Sequence, residues 1–365
     1  MASQGQAHSE HGGMDRGRWL LAAVPIALAI GVIWPERHTL VFFASVVAIL
    51  PLAAAIGRAT EALAGRLGGG IGGLLNATFG NAAELIIGAL ALREGHVDLV
   101  KASLTGSIIG NVLLVFGAAA LVGGLKHPVQ RFNRTAAGLG STMLLLSAIG
   151  LVVPAVFHRL SNGMAATELR LDTEIAIVLL VTYGLSLVFT LRTHRSLYGA
   201  PPPGDEDKAA APVGRWVVVL IAATVAVALV SELLVGAVAA TAKALGMTEL
   251  FVGVVVVALV GNAAEHVSAV SMAADDHMDA ALAIAVGSST QIALFVAPVL
   301  LLLSYVIAPS PMDLHFTTFE LVAIGIAVLS VSFIAHDGET HWMEGVQLLA
   351  VYAILALGFF FLPGR

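Results

Sequence analysis

Long apolar stretches, separated by short polar ones, run the length of the chain. Eleven of them are long enough to cross a bilayer core of about 30 Å, near residues 18–35, 39–65, 72–93, 99–125, 135–158, 173–193, 214–243, 249–275, 279–307, 317–335 and 344–362. These runs predict helices, because barrel strands would alternate polar and apolar residues at every second position. The first run, Trp19 to Trp34, predicts a retained span. Residues 1–18 are polar and contain no apolar core followed by a small-residue cleavage site. On a helix its two tryptophans would stand about 23 Å apart, which suits interfacial anchors. Gly68-Gly69-Gly70-Ile71-Gly72-Gly73 follows no strand and predicts a flexible loop between the second and third spans.

One polar stretch divides the pattern. Residues 195–212 hold Pro201-Pro202-Pro203-Gly204 and Asp205-Glu206-Asp207-Lys208 with no hydrophobic period. The expected plan is therefore a polar N-terminus and first helix over 1–35, a five-helix repeat over 36–194, the linker over 195–212, and a second five-helix repeat over 213–365. An odd number of spans per half turns the second half upside down relative to the first. That is the inverted-repeat plan of secondary transporters, whose site lies at the midplane where the halves meet. With the N-terminus inside, ten Lys/Arg fall on inner segments and seven on outer ones, which favours a cytoplasmic N-terminus and linker. The membrane expected is a bacterial plasma membrane.

Composition agrees with an all-α integral membrane protein. Hydrophobic residues make up 58% of the chain, charged residues 12%, and mean hydropathy is +0.93. Without cysteine there is neither disulfide nor thiolate metal site. A net charge of −6 leaves no electrostatic footprint for nucleic acid. The chain has no Walker A sequence and no H-E-x-x-H, which argues against an ATP-driven pump and an intramembrane zinc protease. The expected partner is the lipid bilayer, a homo-oligomer is compatible with this plan, and neither enzyme activity nor a cofactor is expected.

The candidate chemistry is a pentapeptide that occurs twice. Gly80-Asn81-Ala82-Ala83-Glu84 and Gly261-Asn262-Ala263-Ala264-Glu265 lie in like apolar runs, and each glutamate is followed 23 residues later by a serine, Ser107 or Ser288. A lone glutamate in such a segment costs roughly 2.5–3.5 kcal/mol on insertion scales, so two at matched positions need a reason. Asn81 and Glu84 share a helical face, as do Asn262 and Glu265, and the small residues between them allow another helix to approach. Brought together, the two carboxylates and two carboxamides form a set of hard oxygen ligands suited to Ca²⁺, Mg²⁺ or Mn²⁺. Helix-to-helix glue is the plainer reading, and the repetition argues against it.

A second polar layer consists of Ser107 and Asn111 in the first half and Ser288 and Gln291 in the second. They either complete an oxygen shell or simply bond across packed helices. Gly106 and Gly110 form a small-xxx-small pair that fits the packing reading. Glu61 and Glu232 do not align with each other, standing 23 and 33 residues before their glutamates. Each is a candidate for an access path or a solvated helix end. His266, next to Glu265, has the titration range of a proton switch, though a packed neutral ring is the plainer reading. Asp275, Asp276, His277 and Asp279 form a hydrated loop or a cation-gathering vestibule.

Residues 76–85 (Asn76-Ala77-Thr78-Phe79-Gly80-Asn81-Ala82-Ala83-Glu84-Leu85), together with Gly261-Asn262-Ala263-Ala264-Glu265-His266, resemble the two signature repeats of the calcium/proton exchanger family. So does Gly287-Ser288-Ser289-Thr290-Gln291-Ile292-Ala293-Leu294-Phe295. The resemblance covers nearly the whole chain, including the extra first span. It implies Glu84 and Glu265 as central cation ligands, helped by Asn81, Asn262, Ser107, Ser288 and Gln291. The sodium-coupled branches of the superfamily look different, with Gly-Thr-Ser and a proline before the acidic residue, which neither copy has. The long acidic segment that many members carry between the halves is reduced here to Asp205, Glu206 and Asp207, so regulation through it is not expected.

Two readings follow. In the first, the chain exchanges Ca²⁺ for H⁺: two glutamates match the charge of one divalent cation, and when it leaves, their mutual repulsion favours protons on the same groups. Na⁺ or K⁺ is the alternative cargo for the same oxygen ligands. In the second, the chain is a divalent-cation channel with the glutamates as its selectivity site, although a channel usually gathers its acidic ring from several identical subunits.

Overall fold

The computed structural model describes residues 20–161, 164–194 and 212–363. Trp19, most of the 195–212 linker and its acidic residues lie outside the described residues. Twelve helices make up the described chain: α1 (Ala23–Ile33), α2 (His38–Phe79), α3 (Ala82–Arg93), α4 (Val97–Lys126), α5 (Arg134–Leu160), α6 (Ala165–Thr193), α7 (Val213–Ala244), α8 (Glu249–Gly261), α9 (Ala263–Ala274), α10 (Met278–Ile307), α11 (Thr318–Ile334) and α12 (Trp342–Phe361). Seven of these are apolar and long enough to cross a membrane, and α8 with α9 forms an eighth span bent by 62°. Two shorter apolar helices, α1 and α11, have 11 and 17 residues, and α3 has 12. This is an all-α membrane protein.

The repeat extends beyond the motif. Adding 181 to the bounds of α3 gives those of α9, and adding 181 to the bounds of α4 gives those of α10. Both 30-residue helices carry a π-turn in the middle, Gly110–Val115 and Ile292–Val296. The turns after α3 and α9 match as well: Gly95 (φ 83°) and Asp276 (φ 63°) occupy equivalent positions in the left-handed region.

The two halves are inverted. The turn after α3 lies at one end of the bundle, here called face A, where His96 Nδ1 is 3.6 Å from Glu249 Oε2 at the start of α8. The turn after α9 lies at the opposite end, face B. There Gln130 Nε2 donates to the Ala273 carbonyl at 2.8 Å, and a short antiparallel pairing joins β1 (Gln130–Arg131) to β2 (Glu339–Thr340). Helices α2 and α7 pack along each other, and α1 lies against both.

Two expectations are corrected. The third span does not begin at 72, because the helix breaks at Gly80-Asn81 and resumes at Ala82. The glycine stretch Gly68–Gly73 is not a loop; it is part of the hydrogen-bonded helix α2. The chain nevertheless turns back. A Cβ on Gly57 would sit 3.6 Å from the Ala264 methyl, and one on Gly261 would sit 3.1 Å from Glu84 Oε1. Those anchors lie near one another, whereas a straight helix from residue 57 to 84 would cover about 40 Å.

Close approach of the halves depends on Gly106. A Cβ there would stand 2.0 Å from the Val254 carbonyl oxygen, whereas one on Gly110 meets nothing within 4 Å. The small-xxx-small pair is therefore a single contact. Gly106→Ala is expected to cost at least about 3 kcal/mol through overpacking against backbone, while Gly110→Ala stays near wild type. Thermal melts of the purified protein followed by size-exclusion chromatography would check the contrast.

Candidate functional site

The two pentapeptides each straddle a helix break. Asn81 and Asn262 sit at the breaks with nearly the same backbone angles, φ −102°, ψ 23° and φ −94°, ψ 18°. Glu84 and Glu265 fall in the first turns of α3 and α9, where free backbone N–H groups and the helix dipole favour negative charge. α3 then runs to face A and α9 to face B, so the two first turns diverge from one region in the middle of the bundle.

Polar side chains of one half hold the asparagine of the other. Asn81 Nδ2 donates to Gln291 Oε1 at 2.6 Å. Asn262 Nδ2 donates to Ser107 Oγ at 2.8 Å and to the Ala258 carbonyl at 2.9 Å. Asn111 Nδ2 in turn donates to Asn262 Oδ1 and to Ser288 Oγ, both at 2.9 Å. The Ala258 carbonyl can only accept, and this fixes the direction of every amide linked to it. The expected second layer is thus assembled, with Asn111 bridging Asn262 and Ser288.

The glutamates differ from these satisfied groups. Glu84 is buried, and among the described residues neither of its carboxylate oxygens has a hydrogen-bond partner; nor does Glu265 Oε2. Glu265 lies within Coulombic reach of both Glu84 and Glu61. An unpartnered buried carboxylate is costly unless it carries a proton or holds a cation. The missing Cβ of Gly261 leaves the space that Glu84 occupies.

A narrow cleft leads from Glu84 and Ser107 past Gly88 and Ala91 to Leu99 and Val100, towards face A. A second cleft, lined by Ser107, Asn111, Asn262, His266 and Tyr352, lies on the other side of the asparagine web. His266 therefore borders the polar layer.

The remaining acidic candidates stand at the edge of the cluster or outside it. Glu61 is exposed on α2, one turn beyond Gly57, which packs on Ala264. Glu232 is exposed and ion-paired with Arg93 at 3.0 Å, outside the web. The acidic loop after α9 is used in structure: Asp276 Oδ1 accepts from Gln130 Nε2 at 3.1 Å, and Asp279 accepts from the Asn133 backbone N–H. Sequence reasoning did not single out a polar cluster at face A built on Lys101, Asp172, Asp313 and Glu320, of which only Lys101 and Glu320 signal themselves as charge inside an apolar run.

Comparison with known proteins agrees with this geometry. The sequence pattern of the family described as "Sodium/calcium exchanger protein" matches residues 37–192 and 215–361. A Ca²⁺/H⁺ antiporter of Synechocystis sp. is 45% identical over 94% of this chain and 96% of its own length. The Ca²⁺/H⁺ antiporter ChaA of Bacillus subtilis is 46% identical over 96% of this chain and 100% of its own. The solved structure of native YfkE superposes with a TM-score of 0.82 at 45% identity, covering 95% of this chain and 100% of that one.

The web makes Asn262 its hub. Asn262→Ala would leave Asn111 and Ser107 short of partners in a dry interior, at about 1–3 kcal/mol for each buried group orphaned. Ser288→Ala removes one acceptor of Asn111 and a longer, 3.4 Å bond to Asn262 Oδ1. The expected melting temperature is lowest for Asn262→Ala and intermediate for Ser288→Ala, measured side by side with wild type.

Proposed function

Since the chain belongs to the sodium/calcium exchanger protein family of integral membrane transporters, we propose that it is a secondary antiporter exchanging Ca²⁺ for H⁺, with Glu84 and Glu265 as the shared site. The observation that carries this reading is the set of carboxylate oxygens at the meeting of the two halves that no donor among the described residues satisfies. Ca²⁺ neutralises two carboxylates at once, and two protons do the same in its absence. Exchange then needs only that the empty, doubly charged pair cannot change sides. Similarity to proteins named Ca²⁺/H⁺ antiporters over nearly their whole length supports Ca²⁺ as the cargo.

The neutral groups divide the remaining work. Asn81, Asn262, Ser107, Ser288 and Gln291 offer or orient oxygens around the cation, and Asn111 holds Asn262 and Ser288 in place. Alternating access is a rearrangement of one five-helix repeat (36–194) against the other (213–365), opening first one cleft and then the other to solvent. In a bacterial plasma membrane with the N-terminus cytoplasmic, face B is the cytoplasmic face and face A the external one.

Glu84→Gln and Glu265→Gln are each expected to abolish exchange while the protein still inserts and purifies normally. Gln preserves shape but neither ionises nor takes up the exchanged proton. The assay is ion uptake into sealed vesicles under an imposed pH gradient, run separately with Ca²⁺, Na⁺ and K⁺. Saturable Ca²⁺ flux that requires the gradient separates this reading from a channel and from monovalent exchange. Near wild-type exchange by either mutant would remove the two-carboxylate site.

Competition also fixes a sign. A proton-loaded pair cannot hold Ca²⁺, so apparent Ca²⁺ affinity falls as pH drops on the side where Ca²⁺ binds. The fall is at most about a hundredfold per pH unit when two protons compete with one cation. Ca²⁺ binding against pH checks this in wild type and in His266→Gln. The dependence persists in the mutant if the carboxylates carry it and vanishes if the imidazole does.

A further inference from the structure

Residues 308–317, between α10 and α11, cross face A almost without regular structure, yet Met312, Leu314 and Phe316 are buried. The segment is held by side chains from several helices. Ser304 Oγ accepts from Met312 N at 2.7 Å, and Asp172 Oδ2 accepts from Leu314 N at 3.1 Å. The His158 ring stacks on that of His315 with centroids 3.8 Å apart. From α4, Lys101 Nζ reaches Asp313 Oδ1 at 3.0 Å and the His315 carbonyl at 3.1 Å, with Asp98 Oδ1 at 3.5 Å.

Lys101 is the residue of this group that needs explaining. Its side chain is only 10% exposed, and a lysine buried in an apolar helix is retained where its charge has a specific task. Its neighbours on α4 indicate the task. Leu99, Val100, Ser103 and Leu104 line the cleft that leads to Glu84, and Leu300 of α10 lines it from across. Lys101 points from the adjoining face of α4 to the segment that continues α10. One turn further along, Thr105 Oγ1 donates to Glu320 Oε1 at 3.1 Å at the start of α11. The two cleft walls are thus stapled together from behind.

We propose that Lys101, through Asp313 and the His315 carbonyl, is the positioning residue that sets the aperture of the Glu84 cleft at face A. α4 cannot draw away from α10 while the ammonium holds the 308–317 segment. Widening this cleft for a cation therefore requires the clamp to release. The inference rests on Glu84 as the cargo site, but its test reads accessibility and not transport, so the two fail separately.

The chain has no cysteine, so one introduced thiol reports a single position. Ser103→Cys places it in the face A cleft, and Leu114→Cys places a control in the second cleft. The purified full-length chain is treated with a bulky, charged maleimide, with and without Lys101→Met. The expected result is at least about fivefold faster labelling of the Ser103→Cys thiol with Lys101→Met, labelling of the Leu114→Cys thiol within about twofold, and return towards the slow rate with Lys101→Arg. An unchanged rate at the face A cleft overturns the proposal. So does an equal rise in both clefts, which marks general loosening. If Lys101→Met is not recovered folded, Asp313→Asn takes its place, with the same two outcomes deciding.

Discussion

A carboxylate in a low-dielectric interior must be neutralised by something, and the protein supplies nothing permanent. Glu84 is buried with both oxygens unbonded, and no cationic side chain is paired with it among the described residues. Much of the architecture follows from that omission. The helix breaks at Asn81 and Asn262 bring the first turns of α3 and α9 to the middle of the bundle, where backbone N–H groups favour negative charge. Gly261 lacks the Cβ that would crowd Glu84. The neutral polar side chains nearby spend their hydrogen bonds on one another and not on the carboxylate.

The contrast with face A is instructive. There the chain does supply permanent counter-charges: Lys101 with Asp313, and Arg93 with Glu232. Paired groups of this kind fix geometry. Breaking a buried pair by removing one partner typically costs about 3–5 kcal/mol. Ion-paired charges hold structure at face A, while Glu84 stands without a partner among the described residues.

The central site was legible in the sequence because charge is rare in the apolar runs and the pentapeptide occurs twice. Asn81, Ser107, Asn262, Ser288 and Gln291 could be named from spacing alone. What spacing left open was direction. Asn262 accepts from Asn111 because its own amide nitrogen already donates to the Ala258 carbonyl. The glycine stretch was misread because glycine is poor in isolated helices, whereas a bilayer penalises an unbonded backbone more heavily. The matching turns at Gly95 and Asp276 escaped notice because one backbone conformation is built there from unlike residues. The Lys101 cluster was passed over because its members are 212 residues apart and share no motif.

The exchange of hydrogen bonds between the asparagines has a consequence for the halves themselves. Asn81 finds its acceptor only in the second half, and Asn262 finds Ser107 and Asn111 only in the first. Neither repeat is a self-sufficient module. A single half, inserted alone, would meet the partners it lacks only in another copy lying the opposite way up in the same bilayer. The covalent linker thus joins two subunits of what is, in its bonding, an antiparallel dimer.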